Sequence, residues 1–381
     1  MFRAPRTRQV YLWHKWTGLI TGLFIFFVSL TGTLAVFKNE IDAAMTPGKQ
    51  VKPAGTRAPL EQIVTTMREA YPESRVGQIN LAAGPGDVHS LSIKDGKRSR
   101  EVFIDPYTAA ITGSRTGENL ANVIRQTHLR FYYFKWQGRV FVGVVGLALL
   151  ISTITGFMIY GPFMKNMVFG QIRWKHGPKI VLSDWHKLVG IVTLAFNLVF
   201  GLTGAVLGLE NLARFSPPVS EALHPKPEAA NRKLAPETVE GRLTVDEAVQ
   251  KAQVALPGFE ATSVTLPRAE KSHWMLRGNL RGHFAARGTS WALLDTHTGM
   301  PIEVHDARRA RPVTWAYNLS EPLHFGDFAG LPLKVVYGVA GLLGSSLYLT
   351  GFVIWLYKRR KKKPTQDRPA VPPSPTASSA V

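Results

Sequence analysis

Four stretches of the chain run apolar for about 20 residues, the helical length that crosses a hydrocarbon core about 30 Å thick. They fall at about 17–37, 140–161, 187–209 and 333–357 and predict four membrane-spanning helices. The first follows a basic start and precedes Ala43-Ala44, the outline of a secretory signal. It is longer and more uniformly apolar than a signal core, so it is read as a retained span. Between the first two spans, and again between the last two, lie segments of about 100 residues with a different pattern. In the first, Leu60, Ile63, Val64, Met67 and Ala70 recur at helical spacing up to Tyr71-Pro72, and alternating apolar stretches lead to Val102-Phe103-Ile104-Asp105-Pro106-Tyr107-Thr108. In the second, Thr244 caps a helix with Glu247 three residues on, and Trp291-Ala292-Leu293-Leu294-Asp295-Thr296-His297-Thr298-Gly299 is the closing strand and turn. Each segment reads as a helix packed on a small antiparallel sheet.

Charge gives the spans a direction. The chain has a formal net charge of +20, which on its own invites nucleic acid as a partner. Residues 1–16, 162–187 and 358–381 together hold 16 Lys and Arg against two acids, Asp184 and Asp367, so about two thirds of the net charge sits in short segments that share one side. The positive-inside rule places both termini and the middle loop in the cytoplasm. That accounts for the charge without nucleic acid, the basic tail acting as a topology anchor against anionic lipid. The predicted organisation is a cytoplasmic N-terminus at 1–16, a span at 17–37, an external domain at 38–127, an entrance and second span at 128–161 and an inner loop at 162–186. A span at 187–209, a second external domain at 210–323, an entrance and fourth span at 324–357, and a basic, disordered tail at 358–381 complete it.

The chain also repeats itself. Leu12-Trp13-His14-Lys15-Trp16-Thr17-Gly18 matches Asp184-Trp185-His186-Lys187-Leu188-Val189-Gly190, and both open an inside-to-outside span. Gly143-Val144-Val145-Gly146 and Thr155-Gly156-Phe157 match Gly338-Val339-Ala340-Gly341 and Thr350-Gly351-Phe352. His128 and His324 stand 15 and 14 residues before Gly143 and Gly338. The fold class expected is a membrane α-helical protein: a four-helix transmembrane bundle, two periplasmic α+β domains and a tandem repeat of two halves.

The helix followed by strands that end in Asp-x-x-Thr-Gly-like turns resembles the PepSY domain. Two such domains interleaved with four spans resemble the PepSY-associated transmembrane family. Within it, the His14-Lys-x-x-Gly18 pattern, the His128 and His324 entrances and the length are similar to inner-membrane ferrisiderophore reductases of the FoxB/PiuB type. The likeness covers nearly the whole chain apart from the tail. One departure stands in the first turn, where Ala109-Ala110 follow Thr108 in place of the usual Gly.

Without cysteine there is no disulfide, no thiolate cluster and no thioether-attached haem, so metal chemistry must use His or carboxylate. One imidazole at a span end is commonly an interfacial side chain. Here His14 and His186 share one repeat position and depth, and His128 and His324 share another. Facing helices of a four-helix bundle can bring two imidazoles onto one iron, so each pair would supply both axial ligands of a haem b. The resemblance implies ligation by the same four residues. Gly18, Gly22, Gly143, Gly146, Gly190, Gly338 and Gly341 are candidates for packing against the two macrocycles, although small residues at such spacing equally serve plain helix packing. Arg125, Arg130 and Tyr132 are candidates for a propionate or substrate contact, with Arg130 preferred for the propionate. His273, His283, His297 and His305 form no recurring ligand spacing.

Two six-coordinate haems stacked through the bilayer would carry single electrons to an external acceptor. The resemblance suggests a ferric siderophore: one electron lowers the charge on iron and loosens the grip of its oxygen ligands. No Gly-x-Gly-x-x-Gly follows a predicted strand, so the electrons are expected from a soluble reductase, a reduced flavin or a membrane quinol. The expected location is the bacterial inner membrane. The competing readings are a PepSY binding or regulatory protein held by inert helices, and a small secondary transporter.

Overall fold

The computed structural model describes residues 5–95, 98–165, 167–228, 241–267 and 273–360; the basic tail expected at 358–381 lies outside the described residues from position 361 onward. Its helices are α1 (Pro5–Val36), α2 (Lys38–Met45), α3 (Leu60–Ala70), α4 (Leu120–Arg130), α5 (Trp136–Met164), α6 (Pro178–Val192), α7 (Leu194–Leu209), α8 (Pro217–Leu223), α9 (Val245–Ala255), α10 (Pro312–Phe325) and α11 (Gly330–Arg360). The strands are β1 (Arg75–Asn80), β2 (His89–Asp95), β3 (Arg98–Ile104), β4 (Ile111–Thr116), β5 (Phe259–Thr265), β6 (His273–Leu280), β7 (Ser290–Asp295) and β8 (Pro301–His305).

Four helical segments are long and apolar enough to cross a membrane: Arg6–Val36, Trp136–Met164, Leu194–Phe215 and Asp327–Arg359. Around the bundle α1 packs on α5, α5 on α7, and α11 on both α1 and α6, so α1 lies diagonally opposite the α6–α7 pair and α5 opposite α11. Ile20, Leu23, Phe157, Met158 and Leu202 point outward and are exposed, as side chains bathed by lipid must be. The third span, expected at 187–209, is divided at Thr193 between α6 and α7. The Thr193 hydroxyl donates to Val189 O at 2.8 Å, and the Asn197 amide donates to that hydroxyl at 2.8 Å, so side chains enter the helical ladder at this point.

The segment between the first two spans and the segment between the last two meet in a single eight-stranded antiparallel sheet of order β4-β3-β2-β1-β5-β6-β7-β8. The join is the β1–β5 pairing, with Gln78 opposite Thr265 and Ile79 opposite Val264. One face of the sheet buries Leu91, Ile93, Val102, Ile104, Leu276 and Leu294 against Ile63, Val64 and Met67 of α3 and Ala248 and Ala252 of α9. Each fully buried large apolar side chain contributes about 1.5–3 kcal/mol. The two helices also cap each other. Pro59, before α3, has no side chain that can cap; instead Asp246 of α9 accepts the Leu60 and Glu61 amides at 2.9 Å, and Glu61 accepts the Val245 amide at 3.0 Å. Thr244 and Glu247 form the expected capping box.

The Asp-led turns do not close the units, as the sequence led us to expect; each leads into one more strand, β4 or β8. Those edge strands are short and half exposed, with no clean alternation of apolar residues to announce them. In the first turn Ala109 takes the left-handed conformation (φ 58°) that Gly299 takes in the second (φ 67°), and both turns close with the same backbone bonds.

Between sheet and bundle, α2 is the tie. Asp42 accepts hydrogen bonds from Lys49, from the Arg115 guanidinium at 2.5 Å and from Asn119 Nδ2 at 2.6 Å, while Arg115 also bonds Glu101 on β3. Burial pulls the Asp42 carboxyl up, but the bonds from Arg115 and Lys49 outweigh it and hold it below the usual carboxylate range.

Candidate functional site

Two pairs of histidines face each other inside the bundle. His14 of α1 and His186 of α6 have ring centroids 6.2 Å apart, and His128 of α4 and His324 of α10 have theirs 6.1 Å apart. Each pair takes one residue from the α1–α5 part of the chain and one from the α6–α11 part. His128 Nδ1 bonds Val28 O on α1, 14 residues above His14; at 1.5 Å per residue the two pairs are separated by about 21 Å along the bundle.

The outer pair is carried on the short helices that precede α5 and α11, not on the spans themselves. The chain reverses after α4 through Phe131 and Tyr132, both left-handed at φ 50° and 63°, and after α10 through Gly326 at φ 65°. These reversals let α4 pack on α1 and α10 on α7.

Each of the four rings is held at two points. Its Nδ1 is hydrogen bonded: His14 to Ser152 O at 2.9 Å, His128 to Val28 O at 3.0 Å, His186 to Thr350 Oγ1 at 2.9 Å and His324 to Thr203 Oγ1 at 2.8 Å. Its Cε1 edge lies on a glycine. A Cβ built on Gly156 would stand 3.0 Å from His14, on Gly32 2.8 Å from His128, on Gly351 3.3 Å from His186 and on Gly204 3.4 Å from His324. All four glycines follow a threonine, so a Thr-Gly step in each span receives the histidine of the other span of the same half. A carbonyl only accepts, so His14 and His128 carry their proton on Nδ1 and present Nε2 as the lone-pair nitrogen.

A cavity of about 280 Å³ opens beside the outer pair, lined by residues from all four walls of the bundle. His128 and His324 line it together with Arg125, Arg139, Glu210, Tyr317 and Glu321. Arg125 and Glu321 stand three residues before His128 and His324, one helical turn away on the same face. Arg130 and Tyr132, the other sequence candidates for a propionate or substrate contact, are outside this lining; Tyr132 donates to Glu118 at 2.6 Å. At the other end of the bundle Asp184 is buried and receives Arg173 and Lys187, which fastens the segment about Arg173 to α6 next to His186.

The glycines expected to pack on macrocycles divide by neighbour. Gly146 and Gly341 line the cavity. Gly143 meets Gly208 and Leu209 backbone, Gly22 the Tyr348 ring and Gly338 Phe37, which is helix packing. Gly18 and Gly190 have only Ser152 and Leu347 near them, each at 3.9 Å. The cradling role of Gly32, Gly156, Gly204 and Gly351 was not foreseen. A Thr-Gly step is present in every span, but the first span carries three of them, Thr17-Gly18, Thr21-Gly22 and Thr31-Gly32, so the step alone does not single out Gly32.

Among the described residues no three His, Asp or Glu converge into a protein-only metal cage. The histidines come in twos, and such a pair could hold a metal whose remaining ligands come from a cofactor. Two metal–nitrogen bonds of about 2.0 Å on opposite sides of one iron, plus the half-width of each ring, call for centroids roughly 6 Å apart. Both pairs have that spacing.

A helical bundle with four spans, an antiparallel sheet at one end and paired histidines in its core is a membrane protein of the α+β-capped bundle class. The match to the family described as PepSY-associated TM region runs over residues 11–358, and the chain belongs to that family. It is similar to an uncharacterized protein of Pseudomonas aeruginosa, 28% identical over 255 residues that make up 58% of this chain and 60% of the relative. The chain therefore spans about 60% of the length of the curated relative it matches. A solved structure from Clostridium difficile 630, described as that of a lipoprotein, covers 68% of this chain and 98% of its own at 8% identity and a TM-score of 0.28.

Proposed function

We propose that this protein is a two-haem conduit that passes single electrons across the bacterial inner membrane and delivers them to a ferric siderophore on the sheet-bearing, periplasmic side, as reductases of the FoxB/PiuB type do. The observation that carries the reading is the pair of imidazole pairs, each about 6 Å across with Nδ1 anchored and Cε1 seated on glycine. Haem b held by two imidazoles supplies one-electron cycling between ferric and ferrous iron with no open coordination position.

The chain's own residues would do the rest. His14 with His186, and His128 with His324, would hold the two groups from diagonal walls, so that the two halves of the repeat contribute equally to each site. The glycine cradles and Nδ1 bonds fix ring orientation, which keeps ligand geometry the same in both oxidation states. Arg125, at the edge of the outer cavity and one turn from His128, is placed to pair with a propionate. The basic segments at 1–16, 162–187 and 358–381 support an orientation with both termini in the cytoplasm, where a soluble reductase, reduced flavin or quinol would be the donor. At the external face the electron lowers Fe(III) to Fe(II), and the oxygen donors of the chelator then hold the metal less strongly.

The test is to reduce the purified protein with dithionite, remove the excess and add a ferric siderophore with a ferrous-specific chromophore. Reoxidation of the haems with matching formation of the ferrous complex supports the reading. Haems that stay reduced against hydroxamate and catecholate complexes alike would overturn the siderophore part of it.

A further inference from the structure

The four histidines are not anchored alike. His14 and His128 bond main-chain carbonyls, His186 bonds the Thr350 hydroxyl with the Leu347 carbonyl also within its reach, and His324 bonds the Thr203 hydroxyl. Each pair thus contains one imidazole that bonds a threonine hydroxyl, and in the outer pair that hydroxyl is the acceptor with no carbonyl beside it among the bonds of His324.

A threonine hydroxyl has one proton to give. Thr203 donates it to Val199 O at 2.5 Å, one turn back on α7, and Thr350 donates to Ser346 O at 2.9 Å and Leu347 O at 3.1 Å on α11. With that proton engaged, Oγ1 can only accept from the imidazole, so Nδ1 of His324 and of His186 must be the protonated nitrogen and Nε2 the lone pair. The two bonds form a relay, imidazole N–H to hydroxyl to carbonyl, in which each bond polarises the next. The equivalent residues in the first half do not do this. Thr31 and Thr155 bond their own helices, to Phe27 O at 2.9 Å and Ile151 O at 2.7 Å, and stand 3.5 Å from the Nδ1 of His128 and His14, beyond a working hydrogen bond.

The geometry points to Thr203 and Thr350 as positioning residues that set the tautomer and donor strength of one axial imidazole in each site, Thr203 for the outer and Thr350 for the inner. The inference rests on the haem reading above. An acceptor on Nδ1–H makes an imidazole a better donor, which favours ferric over ferrous iron. Loss of the acceptor should therefore shift the balance toward ferrous iron, by about tenfold at fixed potential, or about 59 mV for one electron.

The experiment is a redox titration of the purified, haem-loaded protein followed by optical spectra, with haem content measured beside it. Thr203→Val keeps the shape and removes the hydroxyl, and it should raise the potential of one haem. Thr350→Val should raise the other by less, because the Leu347 carbonyl remains as an acceptor for His186, and the serine variants of both should restore the original values. Thr31→Val and Thr155→Val should move neither. Haem lost from Thr203→Val but kept by Thr203→Ser also supports the assignment. Valine variants that keep both haems with unmoved potentials, serine variants that fail as badly as valine, or equal shifts from Thr31→Val and Thr155→Val would overturn it. A wild-type protein without haem would instead remove the reading on which it stands, an outcome distinct from all of these.

Discussion

A Cβ placed on Gly32 would stand 2.8 Å from Cε1 of His128, closer than side chains tolerate. Gly32 is on α1 and His128 on α4, 96 residues away, so the absence of one methyl group sets how deep the ring can sit. Gly204 gives His324 the same support with more room, at 3.4 Å. Gly32→Ala should displace His128 and cost about 1–3 kcal/mol of overpacking, with loss of the outer haem from the purified protein. Gly204→Ala should keep it. Haem-to-protein ratios of the two variants compare the cradles directly.

Arg125 and Arg130 separate by helical phase. Arg125 is three residues before His128 and shares its face; Arg130 is two residues after and points elsewhere. Arg125→Gln should lower the potential of the outer haem, by about 1 kcal/mol in the ferric–ferrous balance, because a positive charge at the cavity edge favours the reduced iron. Arg130→Gln should leave both potentials in place. Redox titration of the pair decides between them.

The Asp42 tie sets an acid limit on the join between sheet and bundle. Its folded-state carboxyl is held below its unfolded value by Arg115 and Lys49, with Glu101 sharing Arg115. A depressed carboxyl contributes stability above its unfolded value, near pH 4, and loses it as the pH falls through the folded one. Thermal melts in detergent should fall steeply below about pH 4. Asp42→Asn should cost about 1.5–3 kcal/mol at neutral pH, since it removes the charge shared by Arg115 and Lys49 and leaves Arg115 to Glu101, and should flatten the acid decline.

The two Asp-led turns make a matched pair with unequal strain. Ala109 sits in the left-handed region at a cost of roughly 1 kcal/mol, where Gly299 sits without strain. Ala109→Gly should be neutral or stabilising by about 0.5 kcal/mol, the relief being partly offset by a more flexible unfolded chain. Gly299→Ala should destabilise by more than 1 kcal/mol, because its Cβ would also meet Lys251 Cγ at 2.7 Å and Leu243 Cδ1 at 2.8 Å. Melting temperatures of the two variants check the sign of each.

What could be read in the sequence follows from how strongly each feature is encoded. Long apolar stretches and the α3 and α9 periodicities are written in many residues at once, and helices stand where they were expected. The joining of both segments through β1 and β5 was not legible, because pairing between distant strands leaves no local pattern; nor were β4 and β8, whose edge positions need few apolar side chains. The histidines were found by their repetition. Their supports were missed because helix order around the bundle, which decides that α1 receives His128 and α7 receives His324, is a property of packing rather than of any one segment. That Arg125 rather than Arg130 shares the face of His128 was legible from helical spacing alone.

The central claim is that the paired imidazoles hold iron porphyrin, and the reduced-minus-oxidised optical spectrum of the protein purified from haem-replete cells tests it most directly. The account predicts a b-type spectrum with two haems per chain, falling to one in His14→Ala and to one in His128→Ala. A colourless wild-type protein, or histidine variants with the spectrum of the parent, would contradict it.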